Sequence, residues 1–178
     1  MAFASDTYIC LDVPAPFAQR VMDMRIRHCD EFRATLPAEI TVAGSSGVGV
    51  FTATQDSAMA FATLDTIAAK TSPIEASFGA VRRFPGTDIF VLLLRDAAPF
   101  HALHQRIAIS GLRFERNPFP FQPHCTLRSR SPVSEEVAAE LLAFRIPGSF
   151  VMDTLSVYML DRLPMTLLHR VRLTGIEK

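Results

Sequence analysis

Two short segments of similar sequence lie 85 residues apart, about half the length of this 178-residue chain. They are residues 39–42 (EITV) and 124–127 (HCTL). With the two-residue period of a β-strand, each segment has one polar and one apolar face. Each is embedded in the same order of predicted elements: a strand, a helix, the short strand, a second helix and a hairpin. This internal duplication predicts equivalent strands around a pseudo-twofold axis, with both polar faces directed into one cleft.

The remaining elements follow from hydrophobic periodicity and from turn residues. Strands are predicted at 8–13, 39–43, 74–84, 88–95, 125–129, 150–160 and 165–173, and helices at 15–35, 56–70, 99–110 and 134–144. Asp56 or Ser57, and Ser134, are predicted helix N-caps, and Pro85-Gly86 predicts a hairpin turn. The fold class is therefore α+β and bilobal, with antiparallel sheets, outer helices and a central cleft.

The chain length fits a single domain covering residues 1–178. Residues 1–95 and 96–178 are expected to contribute the two lobes, and the pattern leaves open whether strands are exchanged between them.

Charge narrows the range of partners. The formal net charge is zero, whereas a groove for long duplex nucleic acid normally needs a basic excess. Of the 18 basic residues 16 are arginine, which fits either genomic composition bias or bidentate recognition of phosphate. A small anionic ligand held by a few arginines remains compatible with this composition.

The cysteines and the apolar runs predict a cytoplasmic protein without a membrane partner, and we expect a monomer. Cys10, Cys29 and Cys125 form an odd set without a C-x-x-C spacing, so they are expected to be buried thiols in a reducing compartment. The N-terminus lacks the basic region of a signal peptide, and the longest apolar run, residues 89–94, is too short to span a bilayer.

The second short segment and its surroundings carry a family resemblance. Phe121–Leu127 (FQPHCTL) is similar to the H-x-T-hydrophobic motif of the two-histidine phosphoesterase superfamily, whose bacterial members are called 2′-5′ RNA ligase-like proteins or cyclic phosphodiesterases. Tyr8–Pro14 resembles the opening strand of that family. Two positions depart from its pattern: Glu39 stands where the first motif has histidine, and Ser129 stands where an arginine often follows the second motif.

The resemblance implies a set of site residues. His124 is expected to act as an acid or base, Glu39 to replace the second catalytic group, and Thr41 and Thr126 to bind phosphate. Arg128 and Arg130, which flank Ser129, are further candidate phosphate ligands. A carboxylate is normally ionised at neutral pH, so glutamate suits the role of base, which leaves the role of acid to the histidine. No metal or other cofactor is implied, and the five histidines show no ligand cluster.

These expectations have structural alternatives. His124 is also consistent with a structural strand histidine whose ring is hydrogen-bonded within the protein. The two threonines are consistent with ordinary strand formers, and the two arginines with solvated strand ends. The Phe-rich segment 114–121 fits packing between lobes better than base stacking.

Three functions remain open from the sequence. The first is a divergent 2′-5′ RNA ligase-like phosphoesterase acting, without a metal, on a cyclic or 2′-5′ phosphodiester of a nucleotide or RNA end. The second is a non-catalytic protein that binds nucleotides or RNA ends through a retained phosphate site. The third is an enzyme acting on a different ester.

Overall fold

The computed structural model describes residues 2–28 and 30–176, which form an α+β fold. In chain order the elements are β1 (Thr7–Asp12), α1 (Phe17–Arg27), α2 (Glu31–Ala34), β2 (Glu39–Ala43), α3 (Ser57–Ala69), β3 (Ile74–Arg83), β4 (Phe90–Leu94), α4 (Ala98–Ala108), β5 (His124–Arg128), α5 (Glu135–Ala143), β6 (Ser149–Met152), β7 (Thr154–Met159) and β8 (Thr166–Arg172). The strands build two four-stranded antiparallel sheets, ordered β2-β1-β7-β8 and β5-β4-β3-β6. The predicted fold class is confirmed.

Each sheet combines strands from both halves of the chain. The first sheet takes β1 and β2 from residues 1–95 and β7 and β8 from residues 96–178, and the second takes β3 and β4 from the first half and β5 and β6 from the second. The two sheet orders correspond strand for strand when β2 is matched with β5, β1 with β4, β7 with β3 and β8 with β6. In this correspondence β4 is the first strand of the second set, and the division into lobes at residues 95 and 96 stays a prediction.

The two short segments become edge strands that face each other. β2 is at one edge of the first sheet, β5 is at one edge of the second, and the two strands are in contact. The helix that follows β1 packs against β5, and the helix that follows β4 packs against β2. This crossed packing brings both short segments to the same region of the molecule.

The apolar faces of the short strands are buried as predicted. Ile40 and Val42 on β2, and Cys125 and Leu127 on β5, are all 0 % exposed and belong to the main hydrophobic core. Burial on this face fixes the register of both strands, because a one-residue slip would move the apolar side chains to the polar side.

The predicted long helix at 15–35 is instead two helices. α1 ends at Arg27, and α2 begins after Asp30, whose side chain accepts a hydrogen bond from the Arg33 backbone N–H. An N-cap residue has non-helical dihedral angles, so Asp30 starts a new helix and does not continue the old one. Cys29, predicted to be buried on the long helix, lies outside the described residues.

The predicted strand at 150–160 also divides. β6 pairs with β3 in the second sheet, whereas β7 pairs with β1 and β8 in the first. The chain changes sheets at Asp153, so the closing hairpin consists of β7 and β8 alone. Within the described ranges no helix is both long and apolar enough to cross a membrane.

Candidate functional site

A cavity of about 120 Å³ opens between the polar faces of the two motif strands. It is bounded by β1, β2, α2, β5 and β7, and its lining combines two predicted site threonines, one carboxylate and one guanidinium with aromatic and apolar side chains. The lining residues are Tyr8, Cys10, Phe32, Arg33, Leu36, Pro37, Glu39, Thr41, Ser45, Thr126, Tyr158, Leu160 and Met165. Three of the four residues proposed from the motifs, Glu39, Thr41 and Thr126, therefore share one cavity.

Glu39 and Thr41 form a hydrogen-bonded pair on β2. The Thr41 hydroxyl donates to Glu39 Oε2 over 2.8 Å. This contact holds the carboxylate against its own strand and occupies one of the two hydroxyls expected to bind phosphate. The neighbouring Cys10 thiol is buried, and its pKa lies well above the ordinary value because of burial and the nearby Glu39 charge. A thiol held in its protonated form is a poor nucleophile.

Thr126 presents the second hydroxyl from β5. Its backbone carbonyl is engaged by Arg25, but its hydroxyl has no hydrogen-bond partner among residues 2–28 and 30–176. Because Thr126 lines the cavity, this hydroxyl is available to a bound anion.

His124 lies beside the cavity and is not one of its lining residues. It is two positions before Thr126 on the same face of β5, and its Nδ1 is 2.7 Å from the carbonyl oxygen of Gln122. A carbonyl only accepts, so Nδ1 carries the proton and Nε2 is the nitrogen left for chemistry. The ring also contacts the Phe84 ring edge-on at 5.3 Å.

The protein environment favours the neutral form of His124. Burial lowers the pKa of His124 below its ordinary value, and the positive charge of Arg33 acts in the same direction. The hydrogen bond to Gln122 and the negative charge of Glu39 oppose this shift without cancelling it. The charges of Glu39 and Arg33 thus act on His124 in opposite directions, and burial decides the shift.

Arg25 connects the segment before β2 to β5 and does not line the cavity. It is 0 % exposed, and its guanidinium donates to the carbonyl oxygens of Leu36 (2.8 Å), Pro37 (3.1 Å) and Thr126 (2.8 Å from Nη2). Pro37 lies two residues before Glu39. The Arg25 side chain therefore sets the separation between the Glu39 end of β2 and the centre of β5.

Arg33 provides the guanidinium of the cavity. It extends from α2, and its Nε donates to the Ser129 hydroxyl over 3.0 Å. Asp30 fixes both ends of this contact, because its carboxylate accepts hydrogen bonds from the backbone N–H groups of Arg33 and Ser129. Burial lowers the pKa of Arg33, and the Glu39 charge acts against that shift.

The two arginines expected to assist phosphate binding do not line the cavity. Arg128 donates to the backbone carbonyls of His28 and Pro132, so its guanidinium is used to hold the segments around β5. Arg130 is exposed beyond the end of β5. The geometry therefore does not support their assignment as ligands of this cavity, and the guanidinium found there belongs to Arg33.

A polar network continues across the first sheet from the cavity wall. Asp12 accepts hydrogen bonds from the hydroxyls of Ser156 (2.8 Å) and Tyr158 (3.0 Å), and Arg170 forms an ion pair with the same carboxylate at 3.1 Å. Tyr158 also lines the cavity. Burial raises the pKa of Tyr158, so this phenol remains a hydrogen-bond donor at neutral pH. The network has no local sequence signal because its members lie on three different strands.

His104 on α4 contacts β2 and the loop before β5. Its Nδ1 donates to the Val42 carbonyl over 2.7 Å, and its ring stacks on Phe121 with a centroid distance of 4.0 Å. The loop after β2 passes directly over this ring, and Gly47 donates its backbone N–H to Phe119. His104 therefore joins the loop after the first motif to the loop before the second.

Gly47→Ala is expected to destabilise the protein more than Gly86→Ala. Both glycines have a positive φ, 69° and 70°, so alanine is strained at both positions. A Cβ at Gly47 would lie 2.2 Å from His104 Cε1, whereas nothing lies within 4 Å of a Cβ at Gly86. We expect about 1–2 kcal/mol for Gly86→Ala and an additional ~1–3 kcal/mol for Gly47→Ala, measured by urea unfolding. Equal losses would show that the contact with His104 relaxes freely.

Comparison with known proteins identifies the family. The family model described as the 2'-5' RNA ligase superfamily matches residues 13–163, which is most of the chain. The chain belongs to the 2'-5' RNA ligase superfamily. The membership agrees with the resemblance of the second motif, and the replacement of the first motif histidine by Glu39 stays a prediction. No curated protein sequence matches the chain.

Solved structures with the same fold include proteins from two bacteria. The crystal structure of TT0787 of Thermus thermophilus has a TM-score of 0.69 at 12 % identity and covers 97 % of this chain and 100 % of its own. E. coli LigT complexed with 3'-AMP has a TM-score of 0.60 at 17 % identity, with 96 % and 99 % covered. E. coli LigT complexed with NADP+ has a TM-score of 0.58 at 18 % identity, with 96 % and 98 % covered. At these identities the similarity establishes the fold.

Proposed function

We propose that this protein is a divergent phosphoesterase that acts on a cyclic or 2′-5′ phosphodiester of a small nucleotide or RNA end. The observation that carries the proposal is the shared cavity between β2 and β5, which places Glu39, Thr41 and Thr126 around one space with His124 beside it. Superfamily membership supports the same class of substrate. The complexes of E. coli LigT with 3'-AMP and NADP+ support a small nucleotide partner.

The charges around the cavity are compatible with a bound phosphate. A carboxylate about 4 Å from a phosphate oxygen repels it by roughly 4 kcal/mol at an effective dielectric of about 20. A guanidinium at a similar distance contributes an attraction of the same size. Arg33 therefore offsets Glu39, and the Thr126 hydroxyl is free to donate to a phosphate oxygen.

We assign the role of base to Glu39 and the role of acid to His124. A carboxylate near the phosphate can accept the proton of the attacking water or hydroxyl, while Nε2 of a protonated His124 donates to the leaving oxygen. Nδ1 keeps its proton in both states of the ring and donates it in a hydrogen bond to the Gln122 carbonyl oxygen. Since the pKa of His124 is lowered in the free protein, the protonated ring is scarce at neutral pH, and a bound phosphate anion acts to restore it.

A hydrolysis assay over 2′,3′-cyclic nucleotides and 2′-5′ dinucleotides tests the proposal. The wild type is expected to turn over at least one of these substrates under mildly acidic conditions, and Glu39→Gln is expected to lower kcat/KM by about 10²-fold. Glutamine has nearly the same shape and keeps the contact with Thr41 but cannot accept a proton. Unchanged activity in Glu39→Gln would contradict the role of base.

The Glu39→His variant distinguishes an enzyme from a binding protein. It removes the charge that repels phosphate and returns a group that titrates near neutral pH. Turnover in Glu39→His but not in the wild type would identify a nucleotide-binding protein that retains a dormant site. Absence of turnover in wild type, Glu39→Gln and Glu39→His, together with intact anion binding, would exclude this substrate class and favour a different ester.

A further inference from the structure

We propose that Arg33 is the phosphate-binding arginine of this cavity, presented by α2 and oriented by Ser129 and Asp30. The inference rests on the proposed function and specifies which cation holds the substrate phosphate. It replaces the expectation that Arg128 or Arg130, next to Ser129 on the end of β5, would supply that cation.

The Arg33 guanidinium is oriented by a hydrogen bond at one end. Its Nε is held by the Ser129 hydroxyl at 3.0 Å, and the residue lines the cavity that contains Glu39 and Thr126. Within the described part of the chain, its two terminal nitrogens donate to no protein acceptor, and neither is buried without a partner. They are therefore accessible donors on a side chain that is already anchored at Nε.

Asp30 supports the backbone on both sides of the Arg33–Ser129 contact. Asp30 accepts hydrogen bonds from Arg33 N at 2.9 Å and from Ser129 N at 2.7 Å, so one carboxylate fixes the backbone of both partners. Asp30 is 0 % exposed, which protects these contacts from solvent. A guanidinium held in one orientation loses less conformational entropy when it binds an anion.

Arg33 also balances the charge of the cavity wall. Glu39 brings a negative charge to the cavity wall, and His124 is held towards its neutral form. Among the described lining residues Arg33 carries the one permanent positive charge. Without it, the cavity would present a carboxylate to an incoming phosphate with no opposing cation on its wall.

The test measures binding of inorganic phosphate by calorimetry at low ionic strength and near-neutral pH. Arg33→Met is expected to weaken the affinity by about 10- to 100-fold, because a charge-assisted hydrogen bond and the compensating charge are both lost. Arg33→Lys keeps the charge but loses the anchored fork, so an intermediate affinity is expected. Arg27→Met, a matched change at an exposed arginine paired with Glu140, is expected to bind like the wild type.

A side-chain signal provides a second measurement. In ¹⁵N-resolved spectra the Arg33 Nε–H resonance is expected to shift on addition of phosphate, and Ser129→Ala is expected to reduce the affinity less than Arg33→Met. Thermal unfolding of each variant establishes that it is folded before binding is compared. Recovery of affinity in the double variant Arg33→Met/Ser129→Arg would show that the cavity needs one guanidinium, which can come from α2 or from the position that follows β5.

The outcomes separate this inference from the proposed function. If the wild type binds phosphate and Arg33→Met binds it equally well, the assignment of Arg33 is wrong while the phosphate site stands. If Arg130→Met loses phosphate binding while Arg33→Met retains it, the inference is overturned and Arg130, which follows β5, is the phosphate-binding arginine. If the folded wild type neither binds phosphate nor turns over any diester, both the inference and the proposed function fail.

Discussion

His124→Ala is expected to lower kcat/KM on a 2′,3′-cyclic nucleotide by about 10²- to 10⁴-fold, the range for removal of one positioned acid–base group. His124 lies on β5 two positions before the cavity-lining Thr126, and the Nδ1 contact to Gln122 leaves its Nε2 for proton transfer. His101→Ala is the matched control, because His101 is exposed on α4 and contacts Phe121 edge-on. A similar loss in both variants would show that the effect is structural.

The pH dependence of wild-type kcat/KM shows whether His124 acts as an acid or as a base. An acid must be protonated, so activity is present below the pKa of His124 and is lost as the pH rises through it. Because burial lowers that pKa from its ordinary value of 6.5, the decline in kcat/KM is expected to be centred below pH 6.5. In kcat the decline is expected at higher pH, since the bound phosphate anion favours the protonated ring.

The opposite slope would reverse the assignment of roles. If kcat/KM rises with pH through a value below 6.5 and then levels off, the neutral ring is the active form, and His124 acts as the base. His124→Ala has no ring to titrate, so its residual rate is expected to lack this transition in either case.

The motif strands were predictable because their signal is local. A period of two places Ile40 and Val42 on a buried face, and the same holds for Cys125 and Leu127, so the polar faces could be assigned without knowledge of the sheets. The duplication then predicted that the two polar faces meet. The cavity brings together Glu39, Thr41 and Thr126, and it leaves His124 at its side.

The contacts of the arginines could not be predicted from the neighbouring sequence. On an amphipathic helix the Arg25 position is indistinguishable from a solvated charge, although the side chain is fully buried against a strand about 100 residues away. Arg33 is likewise defined by a partner 96 residues away, the Ser129 hydroxyl. The sequence pointed to Arg128 because it neighbours the motif, but its guanidinium is used by backbone carbonyls.

Sheet membership was the other feature that the sequence did not determine. Residues 150–160 form a mostly apolar segment that is compatible with one long strand, and Asp153 alone is not a signal that divides β6 from β7. The division depends on β3 and β1, which provide partners in different sheets for the two parts. Long-range pairing therefore decided the topology, while hydrophobic periodicity decided the elements.

Arg25→Met is expected to destabilise the protein by about 3–5 kcal/mol, the largest stability effect we anticipate from a single change near the site. Methionine retains much of the apolar volume but leaves the carbonyl oxygens of Leu36, Pro37 and Thr126 without their donor in a buried environment. For a chain of this length each kcal/mol corresponds to roughly 2–4 °C in Tm, so the midpoint should fall by about 6–20 °C.

Arg27→Met supplies the matched control for this change. Arg27 is on the same helix two residues later, its side chain is 67 % exposed, and it pairs with Glu140 on the surface. An exposed pair of this kind is worth about 0–1 kcal/mol, so this variant should unfold close to the wild-type midpoint.

Because Arg25 fixes β5 against the residues before Glu39, Arg25→Met should also weaken phosphate binding below its unfolding temperature. Equal midpoints for the two variants would mean that the carbonyls of β5 and of the segment before β2 find other donors, and that the spacing of the motif strands does not depend on this buried guanidinium.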